Sequence, residues 1–493
     1  MSVDIAIIGA GPAGLAAANA AAAGGARSIV VFDSAVQPGG QFWRHRTEAS
    51  ASDDGRLHHG WGDYLALRAA FDASIATGVI DFRPSTSVWM VTADTGGFVL
   101  RLAPSHGPGR SLDPVVRATR LIIATGGYDR QIPIPGWDLP GVMAAGGVQG
   151  FAKQNGLLPG RRFVIAGTGP FLLPVADTVV RLGGEVAAVL ESSRLTGWLP
   201  HVRSAVGVPE KAVEGASYAW TFLRERIPYR TQTVVTEILG EVRVEAVRTA
   251  RIDRLGEVVP GTERILDGID AVGLGWGFTP QLELPVALGA STRVDVDGSL
   301  VAVVDGAQRS SVPGLLLAGE VTGVGGAVLA VAEGRTAGAI AAAEVTGRPR
   351  PTLRSERSTI ARHRAFAASM HMAHPVPAGW QGRLGEETIV CRCEEVSAGE
   401  IVRARDELAA ADARAQKNMT QAGMGWCQGR ECGFAVTCLS GRRVSGDAAP
   451  DANRSGDADN AIAAAPEATT TSLAQTMKRP VAQPVPLSTF FDL

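Results

Sequence analysis

The chain is short of cysteine: of 493 residues five are Cys, and residues 120–280 hold none. So thin a supply argues against a disulfide framework, and dithiol chemistry cannot run where no thiol stands. An excess of either charge is also missing, since Lys plus Arg number 47 and Asp plus Glu 49. That balance gives neither a polycation nor an acidic tail, so nucleic acid is not an expected partner. Val3–Ile8 is apolar but has no basic segment before it and no cleavage site after it, so no secretory leader is expected and a cytoplasmic location follows. The most apolar stretch, Gly314–Ala332, carries Glu320 and many small residues, which suits a packed α/β unit and not a membrane span.

What is present is organised as several domains, because 493 residues exceed what a single core supports. Residues 3–33 read as strand, glycine turn, alanine-rich helix and second strand. The turn is Gly9-Ala-Gly11-Pro12-Ala13-Gly14, whose three glycines serve a tight turn, close approach to pyrophosphate, and close packing of helix on strand. Asp33 follows where an acid can accept ribose hydroxyls. A second unit runs from Arg162 through Gly167-Thr-Gly169-Pro-Phe-Leu172 to Glu191. Asp33 and Glu191 each lie 24 positions beyond the opening glycine, 9 to 33 and 167 to 191. Leucine replaces the third glycine of the second unit, so its helix and strand are expected farther apart and phosphate binding weaker. Glu191 favours a free ribose 2′-hydroxyl there, with Arg194 nearby leaving the choice between NAD(P) and another nucleotide open.

Between the units, residues 79–123 alternate as strands do and close on Ala124-Thr125-Gly126, and a similar closing strand recurs at 271–277. Residues 351–385 read as a surface connector. Residues 441–475, rich in Ala, Asp, Ser and Thr, read as a disordered insertion. Residues 476–493, spaced by proline, read as an extended segment laid along a neighbouring surface.

Four of the cysteines, Cys391, Cys393, Cys427 and Cys432, fall at metal-ligand spacing within residues 386–440. Four thiolates can surround an iron–sulfur centre or a tetrahedral zinc, and spacing alone leaves both open. Separations of two and five positions depart from the CxxC habit of structural zinc. Cys438 lies outside the pattern and reads as a spare or buried thiol.

Gly39-Gly40-Gln41, Ala124-Thr125-Gly126-Gly127 and Leu317-Ala-Gly319-Glu320 resemble the FAD-contact elements of two-dinucleotide-domain flavoprotein reductases of the glutathione/thioredoxin-reductase type. The resemblance implies an α/β fold with two Rossmann-like domains. FAD would lie in residues 1–125 and 281–350, and a pyridine-nucleotide-type domain in 126–280. It also implies that Glu320 meets the ribityl chain and that Gln41 and Trp43 lie near the isoalloxazine. Thioredoxin-reductase-like relatives carry a CxxC in the second domain; its absence here removes the dithiol reductases.

Cys391-Arg-Cys393-Glu-Glu-Val and Gly425-Trp-Cys427-Gln-Gly-Arg-Glu-Cys432-Gly resemble the small helical 2Fe-2S module of bacterioferritin-associated ferredoxin. Ala124–Val142 and the closing Pro-Val-Pro-Leu are similar to the electron-transfer subunit of heteromeric amine and imino-acid dehydrogenases, the family of opine oxidase, hydrogen cyanide synthase and D-hydroxyproline dehydrogenase. That resemblance implies FAD and a 2Fe-2S cluster as cofactors. Its implied partners are an amino-acid-oxidase-like FAD subunit and a small 2Fe-2S subunit. The competing expectations are a self-contained NAD(P)H reductase and a zinc scaffold. His45, His58 and His59 read as surface or loop histidines, so no catalytic acid or base is assigned.

Overall fold

The computed structural model describes residues 2–47, 54–105, 114–201, 204, 206–441, 466–479 and 481–485. The first sheet has strands β1 (Ser2–Ile8), β2 (Ile29–Phe32), β3 (Ile80–Arg83), β4 (Thr86–Asp94), β5 (Gly97–Pro104) and β6 (Val115–Ile123). Their order is β3-β2-β1-β6-β5-β4, with the strand Leu315–Leu317 also beside β6. The β1 pairs and the Leu315–Leu317 pair are parallel, and β4, β5 and β6 pair antiparallel. The inner strands read as unbroken apolar runs because helices cover them. One covering helix, Pro12–Ala23, begins with proline at its first turn, where no amide hydrogen is needed. Its alanines lie against the helix Ala327–Thr346 at backbone distance. A Cβ on Gly334 or Gly338 would stand 2.1 Å from the Ala13 or Ala17 carbonyl oxygen. Small residues on both helices are the condition for that approach, and they bring the Gly319–Glu320 turn over the first glycine motif.

The second sheet contains β7 (Val142–Ala144), β8 (Arg162–Gly167), β9 (Glu185–Glu191), β10 (Tyr229–Thr231) and β11 (Ala271–Gly275), in the order β10-β9-β8-β11-β7. Leu172 does not hold its helix away from the sheet by itself. Its side chain lies 2.9 Å from where a Cβ on Gly275 would be, so a glycine on the neighbouring strand makes the room.

Residues 354–373, inside the expected surface connector, form a 20-residue helix, and His363 on it is buried. The cysteine-bearing part is three short helices, Ala398–Glu407, Ala413–Thr420 and Gly433–Ser440. The first is closed by a reciprocal Ser397/Glu400 capping box, and the second by the Asp412 carboxylate accepting the Ala415 N–H at 2.8 Å. This part shares a core with the second unit through Trp137, whose indole N–H donates to the Ile389 carbonyl at 2.6 Å while Arg392 lies 5.0 Å over its ring.

The expected disorder of 441–475 needs correction at its end. Residues 442–465 lie outside the described residues, but Pro466–Met477 is a helix. Leu473 and Met477, one turn apart, bury themselves in the core of the first sheet, which outweighs the polar composition around them. Of the segment that follows, residues 481–485 are described and touch this chain, where the Ala482 N–H donates to the Trp89 carbonyl at 2.7 Å; residues 486–493 lie outside the described residues. Among the described residues no helix is long and apolar enough to cross a membrane.

Candidate functional site

The turn after β1 opens into a cavity of 2410 Å³, well above the roughly 300–1,000 Å³ of a single small-ligand pocket. Gly9, Gly11, Pro12, Ala13, Asp33, Gly40, Gln41, Ala124, Thr125, Gly126, Gly319 and Glu320 all line it. Gly14 does not, because it is spent on packing: a Cβ there would stand 1.8 Å from the Gly9 carbonyl oxygen. Asp33 accepts the Ala10 N–H at 2.6 Å and the Ala35 N–H at 2.7 Å. Burial pushes its carboxyl upward, against the pull of those two amides.

Glu320 Oε1 accepts the Gly326 N–H at 3.0 Å, whereas Oε2 is sealed from solvent without a partner. Burial pushes this carboxyl up to about 7. The neighbouring Glu333 is held by Arg364 and by the Gly319 N–H. A dinucleotide with a polyol linker fits these walls. It would find a glycine cradle for its phosphates, an acid near a ribose, and a buried acceptor with a free lone pair.

Trp43 turns away from the cavity into the core beside Tyr64, its indole N–H on the His59 carbonyl. His45 and His58 are also buried, and each has a ring nitrogen on a backbone carbonyl, of Trp43 and Arg44 respectively. They are loop histidines, as one half of the expectation had it, but buried ones: they pack against Trp61 and line the cavity.

The second glycine turn looks different. Gly167, Gly169 and Glu191 are absent from the cavity wall, and Glu191 is only 1% exposed. Its carboxylate accepts the N–H groups of Gly169 at 2.8 Å and Ser193 at 2.9 Å. The end of the connector helix then covers it. His374 Nδ1 lies 3.5 Å from Glu191 Oε2 and 2.7 Å from Ser193 Oγ, and Trp198 donates its indole N–H to His374 Nε2 at 2.9 Å. With Nε2 accepting, the neutral ring carries its proton on Nδ1, facing serine and glutamate. The Thr168 hydroxyl stands 3.3 Å from the Pro375 carbonyl. Asp33 carries the same kind of amide contacts, so what sets the second turn apart is the cover: the His374 imidazole and the Pro375 carbonyl lie over the acid and turn a nucleotide would use.

The cavity's far wall is the cysteine module, where Trp426, Cys427 and Arg430 line the same space as Gln41 and Glu320. The four thiols are linked as neighbours in the order Cys393, Cys427, Cys432, Cys391. Among the described residues no three metal-ligating side chains are gathered as one ion requires. Four neighbouring thiols are the ligand set a two-iron, two-sulfide core would use. The Cys432 thiol and the amides of Gly423, Glu394 and Cys393 hold Cys391 down to about 6. Cys427 is held down to about 4, first by the Cys432 thiol and then by amides of its own loop. Left-handed backbone at Gln421, Gly423, Gln428 and Gly429 curls the loop so that its N–H groups face sulfur, the nest geometry suited to anions. Cys438 is not one of the linked thiols, and burial pushes its thiol up to about 11.

A family model, pyridine nucleotide-disulphide oxidoreductase, matches residues 3–335, two thirds of the chain. The chain belongs to that family. Residues 389–439 match the BFD-like [2Fe-2S] binding domain. The protein is therefore an FAD-dependent oxidoreductase with a 2Fe-2S module. It is 34% identical to an opine oxidase subunit of Rhizobium meliloti (strain 1021) over 448 residues, 89% of this chain and 92% of that one. It is 32% identical to the hydrogen cyanide synthase subunit HcnB of Pseudomonas aeruginosa over 453 residues, covering 90% and 94%. Among solved structures, L-proline dehydrogenase from P. horikoshii has the same fold, with a TM-score of 0.62 at 18% identity over 99% of this chain and 79% of that one.

Three polar groups in or near the cavity were not legible beforehand. Lys153 is buried, with its ammonium 3.4 Å from the Phe42 carbonyl and held down to about 8 by burial. Tyr128 donates to Glu283 at 2.8 Å, across 155 residues of sequence. No local pattern marks such pairs. Only Arg430, lying inside the second cysteine pair, had a sequence signal available.

Proposed function

We propose that the chain is the electron-transfer subunit of a heteromeric amine or imino-acid oxidoreductase, coupled to an amino-acid-oxidase-like flavoprotein subunit. One observation carries this: the cavity lined by the dinucleotide cradle also has the Cys427 loop in its wall, with no intervening layer of protein. FAD supplies two-electron uptake with release of single electrons, and a 2Fe-2S cluster accepts one electron at a time. This chain's residues bind, orient and exclude. Gly9 to Gly14 and Asp33 hold the dinucleotide, Glu320 fixes the linker, and Cys391, Cys393, Cys427 and Cys432 hold the iron. The names of the relatives, which are subunits, support a partner that carries the substrate pocket.

The covered second glycine turn weighs against a self-contained NAD(P)H reductase. Anaerobic titration separates the two. With its co-purified partner, the chain's flavin and cluster absorbance should bleach with an amino or imino acid from a panel. Alone, it should bleach with none of these and not with NADH. Amine oxidation by the isolated chain at the complex's rate, or rapid bleaching of it by NADH, would overturn the proposal.

A further inference from the structure

Between the cavity and the cysteine module sits a buried group of charges that binding and relay leave unexplained. Glu283 Oε1 accepts from Tyr128 at 2.8 Å and lies 3.0 Å from Arg430 Nε and 3.2 Å from Arg479 Nη1. The Arg430, Arg479 and Glu283 side chains are 13%, 5% and 5% exposed. Two guanidinium groups therefore share one carboxylate, and arginine does not shed its proton to relieve the imbalance. A buried cation in excess is costly unless an anion balances it.

The nearest claim on that charge is the ligand loop itself. Arg430 stands between Cys427 and Cys432 in sequence and donates from Nη1 to the Cys427 carbonyl at 3.2 Å. Arg479 reaches the same loop from the C-terminal segment, its Nη2 lying 3.9 Å from where a Cβ on Gly429 would be. It is delivered there by the helix whose Leu473 and Met477 are buried. Arg430 also donates to the Ala482 carbonyl, so the segment is fastened on both sides. Glu431, on the same loop, lines the cavity beside Cys427 and is the negative charge that the two arginines have to outweigh.

We propose that Arg430 and Arg479, trimmed by Glu283, form a cationic clamp that raises the reduction potential of the cluster held by the four cysteines. The clamp rests on the electron-transfer reading given above. A four-thiolate 2Fe-2S cluster is anionic and becomes more so on taking an electron, so buried positive charge favours the reduced form. The clamp forms no bond and moves no proton. It changes only the free energy of converting one iron(III) to iron(II) with an electron from the flavin side. Both arginines are positioning residues, and the segment after the insertion becomes part of the redox site.

The test is a potentiometric titration followed by electron paramagnetic resonance on the full chain with its partner. R479Q should lower the cluster potential and E283Q should raise it, each by about tenfold in the one-electron equilibrium, or about 59 mV. R479K, which keeps the charge, should restore most of the loss. R479Q and E283Q lie outside the cysteine loop, so cluster loading is expected to survive in both. Full iron and sulfide with both potentials unmoved, or both moved in the same direction, would overturn the clamp alone. Zinc in place of iron and sulfide in the unaltered protein would overturn the electron-transfer reading, and the clamp with it.

Discussion

Glu320→Gln should strengthen the flavin-free protein and weaken its hold on FAD, two effects of opposite sign from one substitution. The Glu320 carboxylate is buried with Oε2 unpaired, and its folded-state value is raised from 4.5 to about 7. A raised folded value means the folded state holds the proton more tightly than the unfolded one. The stability this contributes is complete below about 4.5 and is lost as pH climbs through about 7. At roughly 1.4 kcal/mol per pH unit, the loss reaches about 3 kcal/mol by pH 8 and stays near 1 kcal/mol at about pH 5. Glutamine, always neutral, escapes that loss. The apoprotein of the variant should thus gain about 3 kcal/mol over the parent at pH 8, and little at pH 5.

Because the chain has several cores, one unfolding transition is not a safe readout. Hydrogen exchange of the β1 and β6 amides reports the FAD unit by itself. FAD affinity, followed by flavin fluorescence, should fall about 10- to 100-fold, the worth of a charge-assisted hydrogen bond of roughly 1.5–3 kcal/mol. A variant less stable than the parent at pH 8, or a difference independent of pH, would refute the account of Glu320.

Gly14→Ala puts a Cβ 1.8 Å from the Gly9 carbonyl oxygen, so the purified variant should carry almost no flavin by absorbance. Cys432→Ser should lose iron and acid-labile sulfide, whereas Cys438→Ser, outside the thiol run, should keep both at the parent's level. NADH should bind the isolated chain no tighter than about millimolar in a fluorescence titration, because His374 and the Pro375 carbonyl cover Glu191 and the second turn. Micromolar binding would show that the connector yields. Trp137→Ala removes the indole seated between the second unit and the module, and should cost about 3–5 kcal/mol with the module the first part to gain protease sensitivity.

Much of the site was legible because its signals are local. A glycine turn, its closing acid and a pair of cysteines each act within a few residues, and their spacing states the geometry they need. Gly9 to Gly14, Asp33 and the four cysteines could be named from sequence for that reason. The polar composition of 441–475 misled at its end, since two apolar residues one helical turn apart suffice to dock Leu473 and Met477 once a core stands ready to receive them.

The sequence by itself determined that this chain has two dinucleotide-type units, a thiolate centre, and no dithiol between them. It could not say which unit is open. That was decided by where the helix Arg354–Ala373 ends, since His374 closes the second turn from 183 positions beyond Glu191, 191 to 374. Nor could it show that Tyr128, Glu283, Arg430 and Arg479 meet. Burial of charge is a property of the packed interior, where the neighbours that balance an ion arrive from anywhere in the chain. Motifs fix which groups a turn can hold; packing fixes whether water, a ligand or another part of the chain reaches them.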